Sequence, residues 1–235
     1  MNSTGPNERI RSVDFHLIIA LCIALAVTDL LFIALHLVVW QPFAPDSLLH
    51  IGAEQSYSEI FQIVKYIMAM TFFGVAAYVH KQSFLAWWVL IVIILLIDDA
   101  LGMHESWGGR IAEYLPDFLK GPLAYSWGEV TYFSIGAAFV MVILLLSHFL
   151  WCPPEMKTLH RFCILILCAL AFVGIVIDFM HTHFSTSPRR ELFFTVLEDG
   201  SEMLLLSLLT LQAARWVTFR QGTRAGTALS EASQN

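Results

Sequence analysis

Besides Asp29, nine of the nineteen acidic residues fall inside or at the ends of long apolar stretches, where a carboxylate is costly: Glu59, Asp98, Asp99, Glu105, Glu129, Asp178, Glu198, Asp199 and Glu202. His104, His181 and His183 accompany them. Carboxylates crowded in a low dielectric repel one another and resist ionisation, and either protonation or a bound cation relieves them. Lys65 is the one intramembrane cation, with Arg110 nearby in a connection, so salt bridging alone does not neutralise the acids. Mixed Asp/Glu/His shells suit Zn, Mn or non-haem Fe, and helical bundles draw such ligands from several helices. A divalent metal ion (Zn, Fe or Mn) is the simplest neutraliser. The bland alternative is a structural network of hydrogen bonds and ion pairs.

Helical geometry, at about 100° per residue, decides which groups share a face. Asp98 and Glu105 lie seven apart; Asp178 and His181, and Asp199 and Glu202, stand at i, i+3; Glu198 and Glu202 stand at i, i+4. His104 lies off the Asp98 face, so both reach one centre only if the helix unwinds between them, and Gly102 permits that. The candidate metal ligands are Glu59, Asp98, Asp99, His104, Asp178, His181 and Glu202. In a hydrolytic version, His104, Asp178, His181 and a carboxylate of the last span hold the metal, and Glu129 or Glu198 serves as general base. Glu105, His183 and Asp199, near the interface, have an equally good reading as solvated ends. Asp29 has a bland reading as a partner of Thr28 or of a neighbouring helix.

Family motifs do not narrow the chemistry. The sequence has no His-Glu-x-x-His, no Gly-x-Ser-x-Gly and no eight-histidine desaturase pattern. It also lacks the ferritin-like Glu-x-x-His pairs at the expected sites and the His-x-x-x-His of the alkaline ceramidase and adiponectin-receptor group. Two readings of the cluster therefore stand beside the structural one. The first is a metal-dependent membrane hydrolase or oxidoreductase with a lipid-like substrate. The second is a proton- or cation-coupled transporter or sensor, against which the inner halves of the spans offer few polar residues beyond Asp29 and Lys65.

The elements that must position these residues are membrane spans. The chain of 235 residues is 57% hydrophobic and 14% charged, which a water-soluble domain of this size could not bury. A bilayer core needs about 20 apolar residues per helix. Six stretches qualify, near 15–40, 57–80, 83–106, 127–151, 160–183 and 194–217, giving an all-α, polytopic, six-helix membrane bundle. The first is too long for a cleaved signal sequence despite Ala24-Leu25-Ala26. With both termini cytoplasmic, the inner side holds Arg9, Arg11, Lys81, Lys157, Arg161, Arg215, Arg220 and Arg224. The outer side then holds Arg110, Lys120, Arg189 and Arg190, which favours N-in/C-in. Tryptophans fit both interfaces: Trp40, Trp107 and Trp127 outside, and Trp87, Trp88, Trp151 and Trp216 inside.

This topology divides the chain into a disordered N-terminus (1–12), the transmembrane domain (13–220) and a disordered tail (221–235). It puts the acidic cluster in the outer layer. Cys22, Cys152, Cys163 and Cys168 then lie in the cytoplasmic half, without metal-thiolate spacing, and read as small apolar residues. His16, His80, His148 and His160 read as interface residues, and His50 as a loop residue. The expected partners are membrane lipids and a lipid-like substrate in the plasma or inner membrane, with the oligomeric state open. No basic run interleaved with aromatics suggests nucleic acid.

Overall fold

A backbone that meets hydrocarbon must satisfy its own hydrogen bonds, and the chain does so with helices. The computed structural model describes residues 6–39, 48–119, 121 and 123–218, and no strand occurs among them. The helices are α1 (Pro6–Val39), α2 (Tyr57–His80), α3 (Phe84–Leu101), α4 (Met103–Tyr114), α5 (Ala124–Leu150), α6 (Lys157–Phe172), α7 (Asp178–Phe184) and α8 (Pro188–Thr218). A π-helical turn, Val173–Ile177, links α6 to α7. Trp40, Lys120, Arg220, Arg224 and the tail 221–235, to which the sequence reading assigned roles, lie outside the described residues.

Five helical stretches are long and apolar enough to cross a membrane: His16–Val39, Tyr57–His80, Phe84–Leu101, Ala124–Leu150 and Pro154–Phe184. Only 11% to 33% of the residues in their most apolar windows are buried. On α5, Ile135, Phe139, Val142 and Phe149 are 55% to 71% exposed, an apolar surface of the kind a membrane-crossing helix presents to lipid. The sixth expected span differs. With 31 residues α8 is long enough, but it is not among the five apolar stretches. It packs against α1, α2, α6 and α7, and a helix screened by neighbours needs no apolar stripe facing lipid. The third span is also shorter than expected, because the chain breaks at Gly102 and continues as the polar α4.

Ends that the up-down order groups together do meet. At one end the His80 ring lies 2.7 Å from the Trp216 carbonyl, and Trp87 stacks on Trp151. At the other, Trp127 packs against Phe179, with ring centres 4.9 Å apart. The apolar core fills the first of these halves, with Phe73, Leu85, Trp88, Ile91, Met156, Cys163, Leu206, Leu209 and Trp216 among its members.

One polar interaction sits between that core and the acidic end. Lys65 Nζ lies 2.9 Å from Asp29 Oδ1 and donates to the Met203 carbonyl at 2.7 Å; both side chains are fully buried. Ser207 donates to the second Asp29 oxygen at 2.5 Å. The partners come from α1, α2 and α8, so three helices are pinned at one depth. Asp29 therefore bonds neighbouring helices rather than Thr28, whose hydroxyl instead caps the Ala24 carbonyl.

Removing one partner of a buried pair leaves the other charge uncompensated, which costs about 3–5 kcal/mol. Lys65→Met should lower the thermal midpoint of the detergent-solubilised protein accordingly, and Lys65→Met/Asp29→Leu should recover most of the loss. A double variant no more stable than Lys65→Met would show that the unpaired charge is not the cause.

Candidate functional site

The acidic end is assembled by two interruptions of helical geometry. The first is at Gly102, which caps α3 in the left-handed conformation (φ +54°) and donates its N–H to the Asp98 and Asp99 carbonyls. Glycine adopts this conformation without the Cβ penalty of other residues. The chain re-enters helix one residue later, and His104 comes round to the Asp98 face: its Nδ1 lies 3.2 Å from Asp98 Oδ2. Tyr132 of α5 donates to the other Asp98 oxygen at 2.9 Å, and the His104 ring stacks on Phe133. His104 lies beyond the end of its span. Burial opposes its charged form, but the hydrogen bond to Asp98 and the negative charges of Asp98, Glu105 and Glu129 outweigh this and raise its pKa above the ordinary value.

The second interruption is the π-turn at Val173–Ile177, directly before Asp178. Inserted π-turns recur at functional sites because they re-aim the following residues. Here Asp178 faces the charges of Glu198, Glu129, His104 and His181. His181, one turn on, holds its Nδ1 2.5 Å from Glu198 Oε2 and its Nε2 3.4 Å from Glu191 Oε1. Glu202, four residues after Glu198, feels Asp199, Asp99, Glu198 and Asp178. Its carboxylate lies beside Gly174 inside the π-turn, where a Cβ would stand 3.4 Å from Oε1.

Glu129 is brought in by a close backbone contact between α4 and α5. A Cβ on Gly128 would stand 2.0 Å from the Gly108 carbonyl oxygen, and one on Gly108 would stand 2.4 Å from Glu129 Cγ. Two glycines thus let α4 and α5 touch backbone to backbone, with Glu129 buried between them. It senses His104, Tyr125, Glu105 and Glu198.

Glu59 has a structural task. Ser56 caps α2 by accepting the Glu59 N–H at 3.3 Å, and Glu59 reaches back to the Gln55 N–H, much as in a capping box. Asp99 faces Glu59, His104 and Asp98, and its Oδ2 is buried without a hydrogen-bond partner. Asp199 is half-buried beneath Gly52, while Glu105 and His183 are exposed, consistent with solvated helix ends. A cleft of 510 Å³ opens beside this group, lined in part by Glu54, Glu59, Asp99, Leu101, Glu105 and Tyr125.

All nine expected site residues, Glu59, Asp98, Asp99, His104, Glu129, Asp178, His181, Glu198 and Glu202, thus lie at one end of the bundle and interact. No lysine or arginine among the described residues forms an ion pair with them. Lys65 is engaged with Asp29, and the Arg110 guanidinium lies over the Trp107 ring, 4.9 Å from its centre. Their ligand atoms stay spread: among the described residues, the group of three ligand atoms within 4.8 Å of one another lies elsewhere.

That group is His148, Cys152 and His160, all buried, at the far end of α5 and the start of α6. It could hold a metal ion. The sequence reads these histidines as interface residues and Cys152 as a small apolar residue; the structure buries all three and sets their donor atoms together. The signal was the spacing His148-x-x-x-Cys152 followed, across the Pro153-Pro154 turn, by His160. Tyr132 and Glu191, which hold Asp98 and His181, were also missed, because nothing local in sequence ties them to their partners.

The chain belongs to a protein family described as a domain of unknown function, DUF8692. The family model matches residues 19–216. No curated protein and no solved structure matches the chain. The DUF8692 segment contains every residue of the acidic chamber, the Asp29–Lys65 pair and the His148–Cys152–His160 group.

Overpacking a close backbone contact costs about 1–3 kcal/mol. Gly128→Ala should therefore destabilise the protein by that amount in a thermal melt. Gly136→Ala, where a Cβ meets nothing within 4 Å, should not. Equal melting temperatures for the two would show that α4 and α5 are not in backbone contact.

Proposed function

We propose that the chain is a divalent-metal-dependent membrane enzyme, a hydrolase or oxidoreductase, with the acidic chamber as its centre and a lipid-like molecule as its substrate. The observation that carries this reading is the pair of imidazoles held by carboxylates, His104 on Asp98 and His181 on Glu198, in a chamber whose acids have no lysine or arginine partner. Metal-ligating histidines are commonly fixed in orientation by such a carboxylate. The donor chemistry fits a hard or borderline cation, and the unpartnered Asp99 Oδ2 is an oxygen with capacity to spare.

In this reading His104, Asp178, His181 and Glu202 would draw together from their spread positions to hold the ion, His181 Nε2 leaving Glu191, with Asp98, Asp99 and Glu59 at its flanks. When bound, such an ion would neutralise the crowded carboxylates and lower the pKa of a water molecule. Glu198, already bonded to His181, positions that ring. Glu129, buried beside His104 and Tyr125, is left as the general base for proton transfer. The cleft beside the chamber is lined by carboxylates and by Ala100 and Leu101, the latter 70% exposed, a surface suited to an amphiphile with a polar head. The reading takes α8 as a sixth span and both termini as cytoplasmic, supported by the Lys/Arg asymmetry of the connections.

Metal analysis of the full chain, purified without chelator, tests the proposal. We expect a divalent ion that Asp178→Asn and Glu202→Gln each abolish and that Glu113→Gln, on the exposed face of α4, leaves in place. The metal-loaded chain in lipid vesicles should also turn over members of a lipid ester and amide panel, with Glu129→Gln slowing turnover on the order of 10²–10⁴-fold. Metal content unaffected by Asp178→Asn and Glu202→Gln would overturn it.

A further inference from the structure

We propose that His148, Cys152 and His160 form a second, independent metal site for a thiophilic divalent cation of the Zn²⁺ class, with Arg161 as its built-in competitor. The local fold brings the three donors together. His148 lies in the last turn of α5; the Trp151 and Cys152 N–H groups both return to the Ser147 carbonyl, at 3.1 and 2.9 Å, which tucks Cys152 back beneath the helix end. Pro153 and Pro154 reverse the chain, and His160 follows in the first turn of α6. The two Nδ1 atoms lie 3.1 Å apart, and all three donor atoms lie within 4.8 Å of one another. Zinc–nitrogen bonds of about 2.0–2.1 Å at a tetrahedral angle set two imidazole nitrogens roughly 3.3 Å apart, so the histidine pair needs little adjustment. All three side chains are at most 6% exposed, and the His160 ring stands T-shaped against Phe84 and Trp88. His160 Nε2 has no hydrogen-bond partner, so nothing on that side fixes the ring by hydrogen bonding.

Arg161 gives the site its distinguishing property. Its Nε–H donates to His148 Nε2 at 3.4 Å. An arginine donates only, so His148 carries its proton on Nδ1 and donates it to His160 Nδ1. A cation needs the lone pairs of both Nδ1 atoms. Binding therefore moves the His148 proton to Nε2, breaks the bond from Arg161, and replaces the Cys152 S–H bond with a sulfur–metal bond, releasing that proton to solvent. No electron is transferred. The other cysteines have no such setting: Cys163 accepts the Trp216 indole N–H, and Cys22 and Cys168 are exposed on helices. The donors also differ from those of the acidic chamber, which holds no sulfur, so the two sites are separable by spectroscopy.

Co²⁺ titration of the reduced, full-length protein in detergent is the test. We expect one Co²⁺ per chain to develop a thiolate-to-cobalt charge-transfer band and tetrahedral visible bands, displaced by Zn²⁺. Cys152→Ser and His160→Gln should remove the charge-transfer band while the protein stays monodisperse, and Asp178→Asn should leave it intact. Arg161→Met, by removing the competitor, should tighten Co²⁺ binding roughly tenfold. No charge-transfer band in the native chain, a band that survives Cys152→Ser, or weaker binding in Arg161→Met would overturn the proposal. If either histidine or cysteine variant fails to remain monodisperse, the direction of the Arg161→Met change decides.

Discussion

The constraint on which this structure depends is the cost of a carboxylate in hydrocarbon, and the shortage of cations with which to offset it. Lys65 is the basic residue available within a span, and the fold commits it to Asp29. That pair does two things at once. It makes α1, α2 and α8 agree in depth, since three helices contribute the ion pair, the Met203 carbonyl and the Ser207 hydroxyl. It also leaves the acids above it without a lysine partner, so they must be satisfied by hydrogen bonds, by protons or by a bound ion. Tyr132, His104 and His181 meet part of that need; Asp99 Oδ2 is left with none.

The arrangement also explains why the helices of the acidic end are irregular while those of the other half are not. An uninterrupted helix from α3 into α4 would carry His104 away from Asp98, and an uninterrupted helix from α6 into α7 would turn Asp178 to a different face. Gly102 and the π-turn at 173–177 are the two places where regular hydrogen bonding is given up, and both lie next to a proposed ligand. Gly108 and Gly128 serve the same end by a different route, because close backbone approach, rather than a break, is what carries Glu129 inward. Among the described residues, the apolar half, packed from residues such as Phe73 and Trp88, has no comparable interruptions beyond its turns.

How much of this was legible in sequence follows from which forces act locally. Apolar length and the position of acids along it are one-dimensional, so five of the six expected spans, the grouping of acids at one end and the break that Gly102 permits could be read directly. The stretch 194–217 reads as apolar in sequence, yet α8 is not among the five, because whether a helix must be apolar depends on how many neighbours screen it. Interhelical partners were invisible. Asp29 with Lys65 spans 36 positions and Asp98 with Tyr132 spans 34, and a single sequence carries no trace of either pairing. The His148–Cys152–His160 group is different, since all its members lie within one helix-turn-helix corner, where the Pro153-Pro154 reversal brings the flanking side chains together.

Donor chemistry separates the two ends of the bundle. One end offers oxygen with two carboxylate-held imidazoles, which suits hard and borderline cations; the other offers one sulfur and two nitrogens, which suits softer ones. A transported ion would have to pass from one to the other. Between them lie the Asp29–Lys65 pair, closed by its own hydrogen bonds, and then the fully buried side chains of Phe73, Leu85, Trp88, Leu206 and Leu209. Neither layer presents a ladder of exchangeable ligands such as ion movement requires. As proposed sites, the two ends are therefore separated by a polar lock and an apolar layer, and ions held at one would reach the other only through both.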